Sequence, residues 1–152
     1  MIRISNTEAL THLKAILAEE GIRAAISYVN SLTTHRFTSF FRFEGETLKN
    51  VFFFDRLHPE TQTCEEIPVQ ASYCVFVRDS GAPFSTANSL DDRRVIAHVK
   101  RTSIQSYCGV PLLDRDGKMF GTICHFDLLP GVISNENVEL LERMAGLLQP
   151  QL

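Results

Sequence analysis

The chain has 152 residues, of which 44% are apolar and 22% charged, and its formal net charge is −3. These values fit one globular domain and exclude disordered, collagen-like and disulfide-knot proteins. The sequence pI near 5.9, without a long basic stripe, argues against nucleic acid or an anionic membrane as a partner. Residues 1–8 carry no signal-peptide core and no apolar run could span a bilayer, so we predict a cytoplasmic protein with four free thiols.

Two helices are predicted at the beginning of the chain. Ser5 and Glu8 have the spacing of a capping box, and an apolar stripe follows until Gly21 supplies a C-terminal stop. A second apolar stripe predicts another helix to about residue 32, through Ile22, Ile26 and Val29.

The next predicted elements are two strands. Residues 36–43 and 49–55 are rich in Phe and Val, and Glu-Gly-Glu at 44–46 separates them, which is typical of an antiparallel hairpin. The aromatic side chains at alternating positions are interpreted as the core of the sheet: Phe37, Phe41, Phe43, Phe52 and Phe54.

The middle of the chain predicts insertions between strands. A polar loop at 57–66 leads to residues 68–78, which we interpret as a helix with proline in its first turn. A short edge strand is expected at 82–88, and a short helix with an acidic first turn at 91–98.

The final hairpin has the clearest pattern. Residues 107–113 and 119–126 flank Asp-Arg-Asp-Gly, whose Asp-Gly suits a tight turn. Ser134 then caps a predicted helix with an apolar stripe, Val138, Leu141, Ala145 and Leu148. The elements together predict a single domain of the α+β class, with a mainly antiparallel sheet and helical insertions.

The C-terminal third carries a family resemblance. Its parts are Ser-Tyr-Cys-Gly-Val-Pro-Leu at 106–112, Asp-Gly at 116–117, Phe-Gly-Thr-Ile-Cys-His-Phe-Asp at 120–127, then Pro130 and the last helix. This series resembles the GAF domain family, and over residues 36–105 the resemblance rests on element order. It implies a single GAF domain over residues 1–152, related to the PAS fold. That fold has a six-stranded antiparallel sheet with terminal helices on one face and inserted helices over a ligand pocket on the other.

The resemblance implies a sensory or regulatory domain that binds a small molecule in signal transduction. The pocket is then expected among residues 64–108 and the final hairpin. Buried tyrosine hydroxyls need partners, and cationic side chains could hold an anionic ligand. The candidate ligand-binding residues are Tyr73, Cys74, Arg94, His98, Tyr107 and Asp127.

Two of these candidates have structural interpretations as well. The charge of Arg94 would complement the dipole of a solvated helix end, and Asp127 would cap the turn that follows its strand. The terminal helices have narrow apolar stripes, so we predict a homodimer through them and a possible protein effector. No cofactor is predicted.

Three more specialised interpretations can be tested against the residues. Cys64 and Cys74 are ten positions apart, as are two cysteines of free methionine-(R)-sulfoxide reductases, but the position of their third cysteine reads Ile-Ala-His and ends at His98. The segment Glu-Ile-Pro-Val-Gln-Ala at 66–71 resembles bilin-binding GAF domains, whereas the cyclic-nucleotide pattern is not found. A metal site from Cys64, Cys74, His98 and Cys108 has no recognised ligand spacing, so no metal is predicted.

Overall fold

The fold is built on a six-stranded antiparallel sheet with the strand order β3-β2-β1-β6-β5-β4. The computed structural model describes residues 4–152. The strands are β1 (Phe37–Glu44), β2 (Thr47–Asp55), β3 (Ile67–Pro68), β4 (Phe84–Thr86), β5 (Ser106–Leu113) and β6 (Met119–Asp127). The predicted α+β class with a six-stranded antiparallel sheet is confirmed.

Three helices cover one face of the sheet: α1 (Asn6–Glu19), α2 (Ile22–Ser31) and the C-terminal helix (Asn135–Leu148). The side chains of Ser5 and Ser134 accept hydrogen bonds from backbone N–H groups in the first turns, as their capping positions predict. Gly21, at φ 95°, allows the sharp change of direction between α1 and α2. In the part of the chain that the structure describes, no helix is long and apolar enough to cross a membrane.

A second, smaller core lies on the opposite face of the sheet. It contains α3 (Cys74–Ser80), a 3₁₀ turn at Val69–Ala71 and inward-facing residues of the strands. The C-terminal helix is therefore α4 in chain order. The sheet is thus buried on both faces, by helices on one side and by short elements on the other.

The helix predicted at 68–78 is replaced by three separate elements. Pro68 pairs with Thr47 at the edge of the sheet, where its missing N–H is not needed. Ser72 is extended, with φ −129° and ψ 151°, so the 3₁₀ turn ends there and α3 begins only at Cys74. The prediction of one continuous helix is wrong because the first residues are held by pairing with β2.

The short helix predicted at 91–98 is also absent as an α-helix. Two 3₁₀ turns, Ser89–Asp91 and Arg93–Val95, take its place. Asp92 between them is extended, and its side chain accepts from the N–H of Arg94. The extended backbone at Asp92 ends the first 3₁₀ turn, and its side chain caps the start of the second. A continuous α-helix therefore does not form across this segment.

The predicted set of alternating Phe residues divides between the two faces of the sheet. A register shift lies between Phe40 and Phe41 in the β1–β2 pairing, which breaks strict alternation. Phe52 and Phe54 therefore pack with the helices, whereas Phe37, Phe41 and Phe43 belong to the opposite face. The interpretation of all five as one core surface is corrected accordingly.

The helices use their apolar stripes to cover the sheet and one another. Among residues 4–152, the exposed large apolar side chains all lie outside α1, α2 and α4: Val51, Leu57, Leu90, Ile96, Val99, Leu128, Leu129 and Val132. A homodimer through the terminal helices stays a prediction, and such an interface would use partly buried and polar side chains.

Candidate functional site

A row of aromatic rings crosses the sheet face opposite α1, α2 and α4. It runs over four adjacent strands, through Phe53, Phe37, Phe126 and Tyr107. Phe126 is the register partner of both Phe37 and Tyr107. The Phe37 ring centroid is 5.6 Å from that of Phe53 and 5.0 Å from that of Phe126, and both pairs are stacked.

A partly open cavity of about 260 Å³ lies over this row. Phe41 and Tyr73 bring the number of aromatic side chains that line it to six. Its other walls include Cys64 and Ala71 before α3, and Ile104 before β5. The cavity overlaps the segment in which a pocket was expected, and it also uses β1 and β2, which the expectation did not include.

The polar groups inside the cavity are already bonded within the protein. The Tyr73 hydroxyl donates to the carbonyl oxygen of Ile104 at 2.8 Å, and the Tyr107 hydroxyl lies 3.2 Å from the Sγ atom of Cys74. Burial raises the pKa of both tyrosines, so both hydroxyls stay protonated. The charged side chains that line the cavity are Glu65, which is exposed, and Lys100, which is half-buried.

The Cys74 thiol lies behind the cavity wall and is fully buried. Its Sγ atom is 3.2 Å from the hydroxyl oxygens of both Tyr107 and Thr122. Burial opposes ionisation, but hydrogen bonding, first to Cys124 and then to Ser72, Thr122 and Tyr107, lowers the pKa of Cys74 to about 7. The neighbouring thiol of Cys124 has its pKa raised well above the ordinary value, mainly by burial.

Cys64 differs from Cys74 because it lines the cavity itself. Burial raises the pKa of this thiol to about 11, so it is protonated at neutral pH. Cys108 packs with the helices on the other face of the sheet. Within residues 4–152, no three side chains of His, Cys, Asp or Glu converge in a way that could hold a metal ion.

The family model of the GAF domain matches residues 8–151. The chain belongs to the GAF domain family. Among curated proteins, none matches the sequence of this GAF domain.

Solved structures of several kinds share the GAF fold with this chain. Free methionine-R-sulfoxide reductase from Neisseria meningitidis is 15% identical, with a TM-score of 0.75 over 95% of this chain and 86% of that one. The GAF domain of the Acinetobacter phosphoenolpyruvate-protein phosphotransferase is 13% identical, also with a TM-score of 0.75, over 95% and 90%. The chromophore-binding domain of Stigmatella aurantiaca phytochrome P1 is 13% identical, with a TM-score of 0.77, and 61% of it is covered by the whole of this GAF domain.

Three of the candidate ligand-binding residues are at or next to the cavity of this GAF domain. Tyr73 and Tyr107 line it, and Cys74 contacts Tyr107 from behind. The other three, Arg94, His98 and Asp127, are not among the lining residues.

His98 holds the wall in place with both of its ring nitrogens. Nε2 donates to the carbonyl oxygen of Ser72 at 3.1 Å, and Nδ1 accepts from the N–H of Lys100 at 3.0 Å. Burial lowers the pKa of His98, so the imidazole is neutral, and its centroid is 4.7 Å from that of Tyr73. His98 thus fastens the segment before β5 to the segment before α3.

Arg94 is engaged outside the cavity. Its guanidinium binds both carboxylate oxygens of Asp92 and the carbonyl oxygen of Ser85, and it lies 4.6 Å from the centre of the Phe84 ring. The side chain therefore ties the 3₁₀ turn to β4.

Asp127 stabilises the backbone at the end of β6. Its Oδ2 atom accepts from the N–H of Arg36 at 2.8 Å, and Oδ1 accepts from the N–H of Leu129 at 3.2 Å. These bonds match the capping interpretation of this residue rather than ligand contact.

Sequence reasoning missed Phe37, Phe53 and Phe126 as residues of the cavity. The sequence analysis assigns Phe37 to the sheet core and makes no prediction for Phe53 or Phe126, and only the pairing of adjacent strands shows that the three form a row. The sequence does place a Phe in each of β1, β2 and β6. Predicting that these rings are neighbours requires the pairing register of the three strands.

Proposed function

We propose that this GAF domain binds a small molecule in the aromatic cavity and acts as a sensory or regulatory domain in signal transduction. The observation that carries the proposal is the cavity of about 260 Å³ that six aromatic side chains line. Protein interiors are otherwise packed with few voids larger than a water molecule, so an aromatic cavity of this size indicates a binding site.

The sheet offers a route from the cavity to the helices. Phe37 and Phe126 line the cavity, while their chain neighbours Thr38 and His125 point to the helical face. The Oγ1 atom of Thr38 lies 2.7 Å from Nδ1 of His125 and accepts from the side chain of Asn30 in α2 at 2.8 Å. A shift of the rings would therefore move side chains that hold the end of α2.

A signal requires that the ligand bind one arrangement of these groups more tightly than another. The helical face is the surface on which a protein effector or a second copy of the chain would detect the change. Light scattering at tens of micromolar protein tests whether two copies form a homodimer. A monomeric mass would contradict the homodimer.

A small-molecule library screened by thermal unfolding tests ligand binding. Ala71→Phe places a ring in the cavity, whereas Ala87→Phe makes the same change at an exposed position that does not line it. We expect at least one compound to raise the Tm of the wild type and of Ala87→Phe but not of Ala71→Phe. A compound present at 100 times its Kd adds about 2.7 kcal/mol to the free energy of unfolding.

Equal responses of the wild type and Ala71→Phe to every compound would overturn the proposal, as would a lack of any response. Native mass spectrometry of the purified protein gives an independent measurement, because a bound molecule would appear as an added mass.

A second candidate function is a thiol enzyme similar to free methionine-(R)-sulfoxide reductases. Cys64 lines the cavity, and the nearby thiol of Cys74 has its pKa lowered to about 7. In such a reaction two thiols become a disulfide while the sulfoxide becomes a thioether and water, and an added dithiol restores the thiols. His98 stands in place of a cysteine and is bonded into the wall, which favours the binding module.

Turnover of free methionine-R-sulfoxide with a dithiol separates the two functions. A reductase would lose turnover in Cys64→Ser or Cys74→Ser and keep it in Cys108→Ser, whose thiol lies on the helical face. If the wild type shows no turnover, but a compound raises its Tm and not that of Ala71→Phe, the protein is a binding module.

A further inference from the structure

One inner ring of the aromatic row, that of Phe37, has both faces covered. Phe37 stacks with Phe53 on one side and with Phe126 on the other, at interplanar angles of 29° and 23°. Stacked rings that stand on neighbouring strands turn their edges, not their faces, away from the sheet. The edge of an aromatic ring carries partial positive charge, so it favours the π face of another ring or an anion over a cation.

Each hydroxyl that lines the cavity already has a partner within the protein. Tyr73 and Tyr107 bond to Ile104 and Cys74, and the Ser72 side chain accepts from the N–H of Cys74. A polar ligand atom buried here without a partner would cost about 1–3 kcal/mol. The buried part of a ligand is therefore mainly apolar.

Charge is available at the edge of the cavity. Lys100 is half-buried, Glu65 is exposed, and no ion pair within residues 4–152 involves either side chain. The less exposed ammonium acts through a lower dielectric than the solvated carboxylate, so the edge favours an anionic group. Within residues 4–152, no arginine lines the cavity to bind a phosphate by paired hydrogen bonds.

The volume limits the size of the ligand. About 260 Å³ equals the liquid volume of about nine water molecules. It is also below the ~300–1,000 Å³ typical of pockets for drug-sized ligands. One ring or two fused rings with a short side chain match this volume.

We infer that the cavity binds a small aromatic carboxylate, with the ring over the edges of the aromatic row and the carboxylate at Lys100. The inference rests on the proposed function and names the chemical class of its ligand.

A matched series of probes tests the class: 3-phenylpropanoate, 3-cyclohexylpropanoate, 3-phenylpropylammonium and 3-phenylpropyl phosphate. Their dissociation constants are measured by ligand-detected NMR on the full chain, with Ala71→Phe as the blocked cavity. We expect 3-phenylpropanoate to bind about fivefold more tightly than the saturated-ring probe, since an edge-to-face aromatic pair contributes about 0.5–1.5 kcal/mol. It should also bind more tightly than the ammonium and phosphate probes.

Lys100→Ala tests the charge, with Lys118→Ala in the exposed β5–β6 turn as its control. Lys100→Ala should raise the dissociation constant of 3-phenylpropanoate about threefold, the size expected of a partly exposed ion pair. It should not raise the dissociation constant of 3-phenylpropylammonium. Lys118→Ala should change neither.

The inference is overturned if the saturated-ring, ammonium or phosphate probe binds as tightly as 3-phenylpropanoate, or if Lys100→Ala has no effect on it. Should all four probes fail while other compounds pass the Ala71→Phe test, this inference falls and the proposed function stands. Should nothing bind at the cavity, the proposed function falls as well.

Discussion

The hydroxyl of Tyr107 lies 3.2 Å from the Sγ atom of Cys74, the thiol behind the cavity wall. Tyr107→Phe keeps the ring and removes this hydrogen bond. We expect the free energy of unfolding to fall by about 1 kcal/mol, as for one buried hydrogen bond, and ligand affinity to stay unchanged. Urea unfolding and a ligand titration measure the two effects.

Tyr73→Phe is the companion variant, because its hydroxyl donates to the carbonyl oxygen of Ile104. A loss of affinity in either variant, without further loss of stability, would mean that the hydroxyl contacts the ligand. The cavity interior would then be polar, contrary to the hydrogen bonds described above.

Gly109 makes room for the Tyr107 ring. A Cβ atom at position 109 would overlap the hydroxyl oxygen and ring of Tyr107. We expect Gly109→Ala to lower the free energy of unfolding by about 1–3 kcal/mol, as in other overpacked cores, and to weaken ligand binding as the ring moves. Gly146→Ala is the control, because Gly146 in α4 has open space around it and the change should stabilise by about 0.5–1 kcal/mol. Equal effects of the two changes in urea unfolding would contradict the close fit.

His125 predicts how stability depends on pH. Full burial, with His35 and Arg56 nearby, lowers the pKa of His125 to about 3, against about 6.5 in the unfolded chain. The unfolded state therefore binds one more proton between these values. Stability is complete above about pH 6.5 and falls as the pH drops toward 3, by up to about 1.4 kcal/mol per pH unit from this group.

His125→Asn keeps a polar atom near Thr38 and removes the titration. Its free energy of unfolding, measured in urea at several pH values between 6.5 and 4.5, should fall less steeply than that of the wild type. An unchanged slope in His125→Asn would show that acid destabilisation arises elsewhere.

Thr38 joins β6 to α2 on the helical face. Its hydroxyl lies between Nδ1 of His125 and the side-chain amide of Asn30. Thr38→Val keeps the shape and leaves a buried imidazole nitrogen without its partner, so we expect a loss of about 1–3 kcal/mol. Thr102→Val, at an exposed position, should stay within about 0.5 kcal/mol of the wild type in the same unfolding measurement.

Local sequence signals predicted the elements that local contacts determine. The caps at Ser5 and Ser134 and the turn at Gly117, with φ 81°, depend on neighbouring residues only. Pro68 shows the limit of such signals. Its segment is a strand because it pairs with Thr47, twenty-one positions earlier in the chain, and no local pattern contains that partner.

Residues of the candidate site could be predicted where the chemistry of a single side chain was sufficient. Tyr73 and Tyr107 follow from the need of a buried hydroxyl for a partner, and both line the cavity. His98 and Arg94 are predicted from their residue types, but the structure shows them bonded within the protein. His98 bonds to the carbonyl oxygen of Ser72, and Arg94 bonds to the carboxylate of Asp92. The row through Phe37 depends on strand register beyond the bulge, which the sequence pattern does not determine.

The two sides of the cavity differ in how they tolerate change. The row of rings is fixed by strand pairing, whereas the opposite wall, with Cys64, Ala71 and Lys100, comes from short turns outside the long strands. Substitutions in such a wall disturb few backbone hydrogen bonds. Descendants of this sequence could therefore acquire new ligand preferences by altering the wall alone, while the sheet beneath kept its architecture.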